Sequence, residues 1–235
     1  MEYRKHRIFG YSLAIFMHMA NMLYMGTYIS PRVYDNPKLM KFKNLQPRFF
    51  TIWTLILQLI YSAVSLICEL MLENTTNRKN TIRYVNGFRN VLFSSILWPS
   101  CWVVAIVFWS LCLYDKDLIF PEQTAELLHP ISNHIMHTLI VPISVWEVVY
   151  RPRRLPRSHR KNVYHLLFYF AFYFIVMIYT YIESGLWIYP IFAKLYGTIF
   201  FPLIHLTMAG IAIVAYVIQW PLAEYVWRQN IKKAI

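Results

Sequence analysis

Six stretches of this chain, near 8–30, 49–68, 91–114, 130–146, 163–182 and 198–220, contain no Asp, Glu, Lys or Arg. Each is close to the roughly 20 residues that a helix needs to cross the hydrocarbon core of a bilayer. In that core every backbone N–H and C=O must be satisfied without water, and a helix does so within its own segment. The pattern predicts an all-α, multi-pass transmembrane helix bundle of about six spans. They are placed at 8–30, 49–71, 91–114, 130–150, 163–182 and 198–220, in a single transmembrane domain over 1–235. Composition agrees, since 58% of the residues are apolar and 14% charged, against about 25% charged in a soluble domain. The first run is too long for the apolar part of a signal peptide, and no Ala-x-Ala-like site follows it, so it reads as a retained helix.

The charges collect between the spans. Counted from the N-terminus, alternate segments hold 16 of the 23 Lys and Arg residues and the others hold 7, which by the positive-inside rule puts both termini in the cytosol. The segment 31–48, which opens with a turn at Ser30-Pro31, opposes the trend with five basic residues. A net charge of +12 beside a membrane finds its partner in anionic headgroups, and Arg151-Pro152-Arg153-Arg154-Leu155-Pro156-Arg157 reads as a cytosolic anchor of that kind. Signatures of nucleic-acid modules are absent, so membrane lipids and not nucleic acid are the expected partners. The end Lys232-Lys233-Ala234-Ile235 resembles a dilysine retrieval signal, pointing to the endoplasmic reticulum, with the plasma membrane as the alternative. Asn74-Thr75-Thr76 is a glycosylation sequon that this topology leaves in the cytosol, unmodified. Cys68, Cys101 and Cys112 lie within spans and read as small core residues, or as palmitoylation sites where they come near an interface.

Polar groups inside the spans need a partner or a task. Asn133-His134-Ile135-Met136-His137-Thr138 places two imidazoles three residues apart on one helix face, with Asn133 beside them and Thr138 one turn beyond His134. Measured from Pro130, His137 lies about 10 Å into its span and His134 about 6 Å. Pro142 bends the same segment. Thr51 follows the helix-start signal Pro47 in the first turn of span two, which puts it in the same leaflet as His137. A Thr near a helix start often bonds only its own backbone, and Thr54, one turn on, competes for any role given to Thr51. His18 and Asn21 read as an interhelical hydrogen-bonding pair. His205 lies in the outer third of span six. Pro99 predicts a kink whose freed carbonyl a neighbour must meet.

The spacing of His134 and His137 suits a metal. Neither a third ligand in the same leaflet nor a His-Glu-x-x-His pattern accompanies them, so no metal and no cofactor is expected. A Gly-x-Ser-x-Gly elbow is also absent. What remains is a hydroxyl with a base, since Thr becomes a nucleophile when an adjacent imidazole takes its proton.

The Asn133–Thr138 motif does not stand alone. With Phe108-Trp109 through Tyr114-Asp115-Lys116-Asp117-Leu118-Ile119, Glu147 ahead of Arg151-Pro152, and Gly185-Leu186-Trp187-Ile188-Tyr189-Pro190, it closely resembles the androgen-induced gene 1 and androgen-dependent TFPI-regulating protein family, over spans two to six. The resemblance implies a multi-pass membrane enzyme that hydrolyses fatty acid esters of hydroxy fatty acids with an intramembrane Thr nucleophile and a His. The family's His falls on His137 and its Thr on Thr51. The Trp-Lys that precedes that Thr in the family is replaced here by Pro47-Arg48, and Asn90 stands where the family usually has Asp. On this reading Thr51 attacks the ester and His137 serves as general base. Asn133 and His134 support the substrate, and Lys41, Lys43 and Arg48 hold its carboxylate. The competing readings are a non-catalytic lipid-binding scaffold or carrier with structural histidines and, third, a His-ligated metalloenzyme.

Overall fold

The computed structural model describes residues 3–33, 40, 43–71, 79–120, 129–153 and 155–233. Lys41, Glu73 and the Asn74 sequon lie outside the described residues, as do the side chains of Lys232 and Lys233. Helix α1 spans Arg4–Val33 and α2 Phe50–Met71. Helix α3, Lys79–Leu92, runs through a π turn at Phe93–Leu97 into α4, Trp98–Tyr114. Two short helices follow, α5 at Pro130–His137 and α6 at Ile140–Tyr150, and then α7 at Arg160–Ser184, α8 at Pro190–Leu195 and α9 at Phe200–Lys233. Among the described residues there is no strand. Five helical segments are long and apolar enough to cross a membrane, Arg4–Tyr28, Phe50–Met71, Arg83–Tyr114, Arg160–Ser184 and Phe200–Arg228. The fold is an all-α multi-pass bundle.

The burial pattern is that of a lipid-facing protein. Phe16, Leu23, Phe168, Ile175 and Leu206 are exposed, whereas His18, Gln58, Ser65, Thr180 and Gln219 are buried. In hydrocarbon an exposed Leu costs nothing and an unpaired polar group costs several kcal/mol, so polar side chains turn inward to partners. His18 does this with Gln58, Nε2 to Oε1 at 2.8 Å, while Gln58 Nε2 donates to the Ile140 carbonyl at 3.0 Å. The expected structural role of His18 is met, and it joins α1, α2 and α6. The free cysteines Cys68 and Cys101 are buried core residues.

Prolines account for the breaks. Pro142 has no N–H, and its ring crowds the carbonyl four residues earlier, that of Thr138. The fourth segment therefore breaks at Thr138–Leu139, where both Thr138 N and Leu139 N donate to the His134 carbonyl at 2.9 Å. Pro99 acts likewise on the α3–α4 rod. In the π turn that precedes it, residue 99 is due to bond the Ser94 carbonyl, and in its place Gln219 Nε2 on α9 donates there at 2.9 Å. The neighbour's bond to the freed carbonyl is present as expected, and the helix departs from α geometry at the π turn. Pro31 does not turn the chain at Ser30 as expected; it sits in the last turn of α1, which continues to Val33.

Glycine is required at two points. A Cβ added to Gly10 would lie 2.3 Å from Trp146 Nε1, so α1 and α6 meet closely only without one. Gly185 caps α7 at φ 67, a left-handed conformation in which its N–H reaches the Tyr181 carbonyl at 2.8 Å.

Successive segments run up and down. Tyr3 packs edge-on against Trp227, with centroids 6.0 Å apart, and Arg7 donates to the Tyr150 carbonyl at 3.2 Å, so the two ends of the chain share one end of the bundle. Glu147 is buried there. It accepts from Tyr11 at 2.5 Å and from Tyr61, and it pairs with Arg151 at 3.1 Å and Arg153 at 2.9 Å. Arg89 completes the cluster through Ser65 at 2.9 Å and Tyr11 at 3.1 Å. Arg151 and Arg153 thus turn inward onto Glu147 instead of forming the solvated anchor their spacing suggested, because a buried carboxylate needs compensation that headgroups cannot deliver. Glu69 is buried too and pairs with Arg7 at 2.9 Å. The opposite end is closed by Arg48–Glu183 at 2.5 Å, Lys194–Asp115 at 3.5 Å and a second apolar cluster of Leu118, Met177, Ile188, Ile191 and Phe192.

Candidate active site

The approach to Thr51 is set by Pro47. Gln46–Arg48 forms a 3-10 turn with proline in its first positions, Phe49 is extended at φ −73 and ψ 134, and α2 begins at Phe50. Trp53 Nε1 donates back to the Pro47 carbonyl at 2.8 Å and ties the turn to the helix. Thr51 therefore stands in the first turn, where backbone N–H groups lack intrahelical acceptors. The Phe50 N–H is met by two phenol oxygens, Tyr173 at 3.0 Å and Tyr189 at 3.1 Å.

His137 comes to Thr51 from α5. Its Nε2 is 3.4 Å from Thr51 Oγ1, and its Nδ1 is 3.0 Å from the Asn133 carbonyl. A carbonyl only accepts, so Nδ1 carries the proton and Nε2 presents its lone pair to the hydroxyl. The ring is buried and stacks on Phe108 with centroids 3.5 Å apart and planes 12° apart. A fixed tautomer, a fixed ring plane and a lone pair on a hydroxyl are the arrangement a general base requires; such contacts are commonly long before substrate binds.

Both side chains line a cavity of about 360 Å³ whose walls include Val104, Phe108, Met136, Phe170, Met177 and Phe192. The walls are almost wholly apolar, which suits alkyl chains. Its few polar side chains are those of Gln46, Thr51, His137, Tyr173, Tyr189 and His205. His205 Nδ1 lies 2.6 Å from the Phe201 carbonyl, and its Nε2 is buried without a partner.

The other residues singled out from the sequence fall elsewhere. His134 is exposed; it stacks on Trp109 at 5.3 Å and bonds Thr138 Oγ1 at 3.1 Å, to which Trp109 Nε1 also donates at 3.1 Å. Three residues advance a helix by less than a full turn, so the two imidazoles diverge, one onto Phe108 and one onto Trp109. Asn133 serves through its carbonyl. Neither Asn133 nor His134 lines the cavity, and neither do Lys43 and Arg48. Arg48 is paired with Glu183 and also donates to Thr180 Oγ1 at 3.3 Å. Thr54 is buried, and its hydroxyl donates to the Phe50 carbonyl at 3.0 Å, the local backbone bond that a helical Thr ordinarily makes. Among the described residues no three His, Cys, Asp or Glu side chains converge as metal ligands do.

Sequence reasoning missed the parts played by Phe108, Tyr173 and Tyr189. The first and last stood inside motifs already noticed, but their neighbours in space are remote in the chain and no periodicity announces them.

A helical membrane bundle that encloses an apolar, chain-sized cavity with one hydroxyl–imidazole pair on its wall defines the class of this protein. Within that class the chain belongs to the FAR-17a/AIG1-like protein family, whose model matches residues 11–221. It is 32% identical to the human androgen-dependent TFPI-regulating protein over 182 residues, 77% of each chain. To the Mus musculus protein of that name it is 34% identical over 167 residues, 70% of this chain and 71% of the other. The human androgen-induced gene 1 protein is more distant, 21% identical over 148 residues, 61% of this chain and 62% of the other. No solved structure matches the chain.

Proposed function

We propose that this protein is an intramembrane carboxylic ester hydrolase that cleaves fatty acid esters of hydroxy fatty acids, with Thr51 as nucleophile and His137 as general base and then general acid. The observation that carries the reading is the 3.4 Å approach of Thr51 Oγ1 to His137 Nε2 on the wall of an apolar cavity. As Thr51 Oγ1 bonds to the ester carbonyl carbon, its proton passes to Nε2 and the carbonyl electron pair moves onto oxygen. Collapse re-forms the carbonyl and breaks the bond to the alcohol oxygen, which takes the proton from Nε2. Water, deprotonated by the same nitrogen, then adds to the acyl carbon, and collapse breaks the bond to Thr51 Oγ1, which takes the proton back from Nε2 as the acid leaves. The Asn133 carbonyl holds the Nδ1 proton throughout and stabilises the imidazolium.

The free carboxylate of the substrate is assigned to the basic segment 41–48. Lys41, Lys43 and Arg48 are the proposed partners, and Arg48 also pairs with Glu183. Both termini are placed in the cytosol and the protein in the endoplasmic reticulum. A non-catalytic carrier would use the same cavity, but nothing in carriage calls for a buried imidazole lone pair against a hydroxyl. Purified protein given a branched fatty ester tests the reading: Thr51→Ala and His137→Ala should each abolish turnover with expression unchanged. Activity in both variants would overturn it. A fluorophosphonate should label the wild type and not Thr51→Ala.

A further inference from the structure

The proposed attack by Thr51 leaves negative charge on the former carbonyl oxygen, and a buried site needs a donor for it. We propose that the Tyr189 hydroxyl, positioned by Tyr173, is that donor. The inference rests on the hydrolase reading above and names the group that stabilises its transition state.

The geometry is a matter of counting protons. Both phenols line the cavity with Thr51 and His137. Their oxygens accept from the same N–H, that of Phe50, at 3.0 and 3.1 Å. The two hydroxyls are close enough for each to act on the other's charge, and Thr51 acts on that of Tyr189. Each phenol has one proton. Accepting from the Phe50 N–H spends neither proton, and that of Tyr189 is available toward Thr51, where an ester carbonyl under attack would lie. Acceptance from N–H groups at the positive end of α2 polarises that O–H and makes it a stronger donor. Burial pushes the Tyr189 phenol up from its ordinary value, so it stays protonated and able to donate.

The local sequence holds the group in place. Tyr189 precedes Pro190, which favours the extended conformation observed, φ −119 and ψ 134. Its ring is wedged edge-on between Phe49, at 5.2 Å, and Phe192, at 5.7 Å. A donor fixed before substrate arrives need not reorganise as charge develops. In the step itself the phenol proton is shared with the oxyanion and not transferred; it returns to Tyr189 when the carbonyl re-forms.

Turnover of a fatty acid ester of a hydroxy fatty acid by the full chain in detergent tests this, with kcat and KM read separately. Tyr189→Phe keeps the ring and removes the donor. It should lower kcat by about 100-fold or more, the usual loss for an oxyanion donor, with KM within about threefold. Tyr173→Phe, which acts only through Tyr189, should lower kcat by a smaller factor, again at constant KM; this variant carries the test if Tyr189→Phe fails to fold. A Tyr189→Phe protein that folds and turns over at the wild-type kcat, while Thr51→Ala is inactive, overturns the proposal and leaves the hydrolase reading standing. A rise in KM with kcat unchanged overturns it too, since that marks a ground-state contact. Full activity in Thr51→Ala would instead remove the reading beneath it.

Discussion

At the end of the bundle that carries both chain ends, Glu147 is surrounded by Tyr11, Tyr61, Arg151 and Arg153. At the opposite end, Thr51 and His137 meet in one long contact and face a cavity. Both sets are buried among helices, and both draw their members from distant parts of the chain. Tyr11, Tyr61 and Glu147 also border a cavity, of about 270 Å³, so the two sets differ in what their polar groups leave over. In the Glu147 cluster both carboxylate oxygens are met by donors on three sides, which makes a clamp between α1, α2 and α6. In the Thr51 site the imidazole keeps a lone pair, the hydroxyl keeps a proton, and the adjoining space is shaped for a chain. Buried polar groups with full partners hold a fold together, and buried groups with spare capacity beside a cavity do chemistry.

Five substitutions break or sharpen that contrast, in falling order of effect. Thr51→Ala and His137→Ala, each tested for hydrolysis of a branched fatty ester, are expected to lose activity by about 1,000-fold or more, as loss of a nucleophile or its base does. Thermal stability in detergent should stay within a few degrees. Glu147→Ala should do the reverse, leaving the Arg151 and Arg153 guanidiniums buried without their carboxylate. The expected cost is about 3–5 kcal/mol, seen as a collapse in folded yield or melting temperature, with turnover per folded molecule retained. If Glu147→Ala is instead stable but inactive, the two ends of the bundle are coupled.

Phe108→Leu removes the ring that stacks on His137 at 3.5 Å. Such a contact is worth about 0.5–1.5 kcal/mol, so kcat should fall by roughly two- to tenfold while the protein stays folded. An unchanged kcat would show that the Asn133 carbonyl alone orients the imidazole. Thr54→Val is the smallest. Its hydroxyl bonds only its own helix backbone, so turnover should remain within about twofold of wild type, and a large loss would move the nucleophile one turn along α2.

The chain announces part of this structure and conceals the rest. Charge-free runs, period and basic loops disclosed a multi-pass bundle, because hydrocarbon imposes one solution on such segments whatever surrounds them. Pro142 and Pro99 disclosed their breaks for the same local reason, the missing N–H. His18 was legible as a structural histidine, and Thr51 and His137 as candidates, one by its place after a helix start and the other by its motif. Arg151 and Arg153 were misread as an anchor because nothing local tells a basic loop that it will find a buried Glu147. The same limit hid the divergence of His134 from His137, the stacking of Phe108 and the two phenols on the Phe50 N–H. Those depend on which faces of α2, α4, α5 and α7 meet. Packing of whole helices decides that, and it alone brought a hydroxyl and an imidazole from distant parts of the chain together on the wall of an apolar cavity.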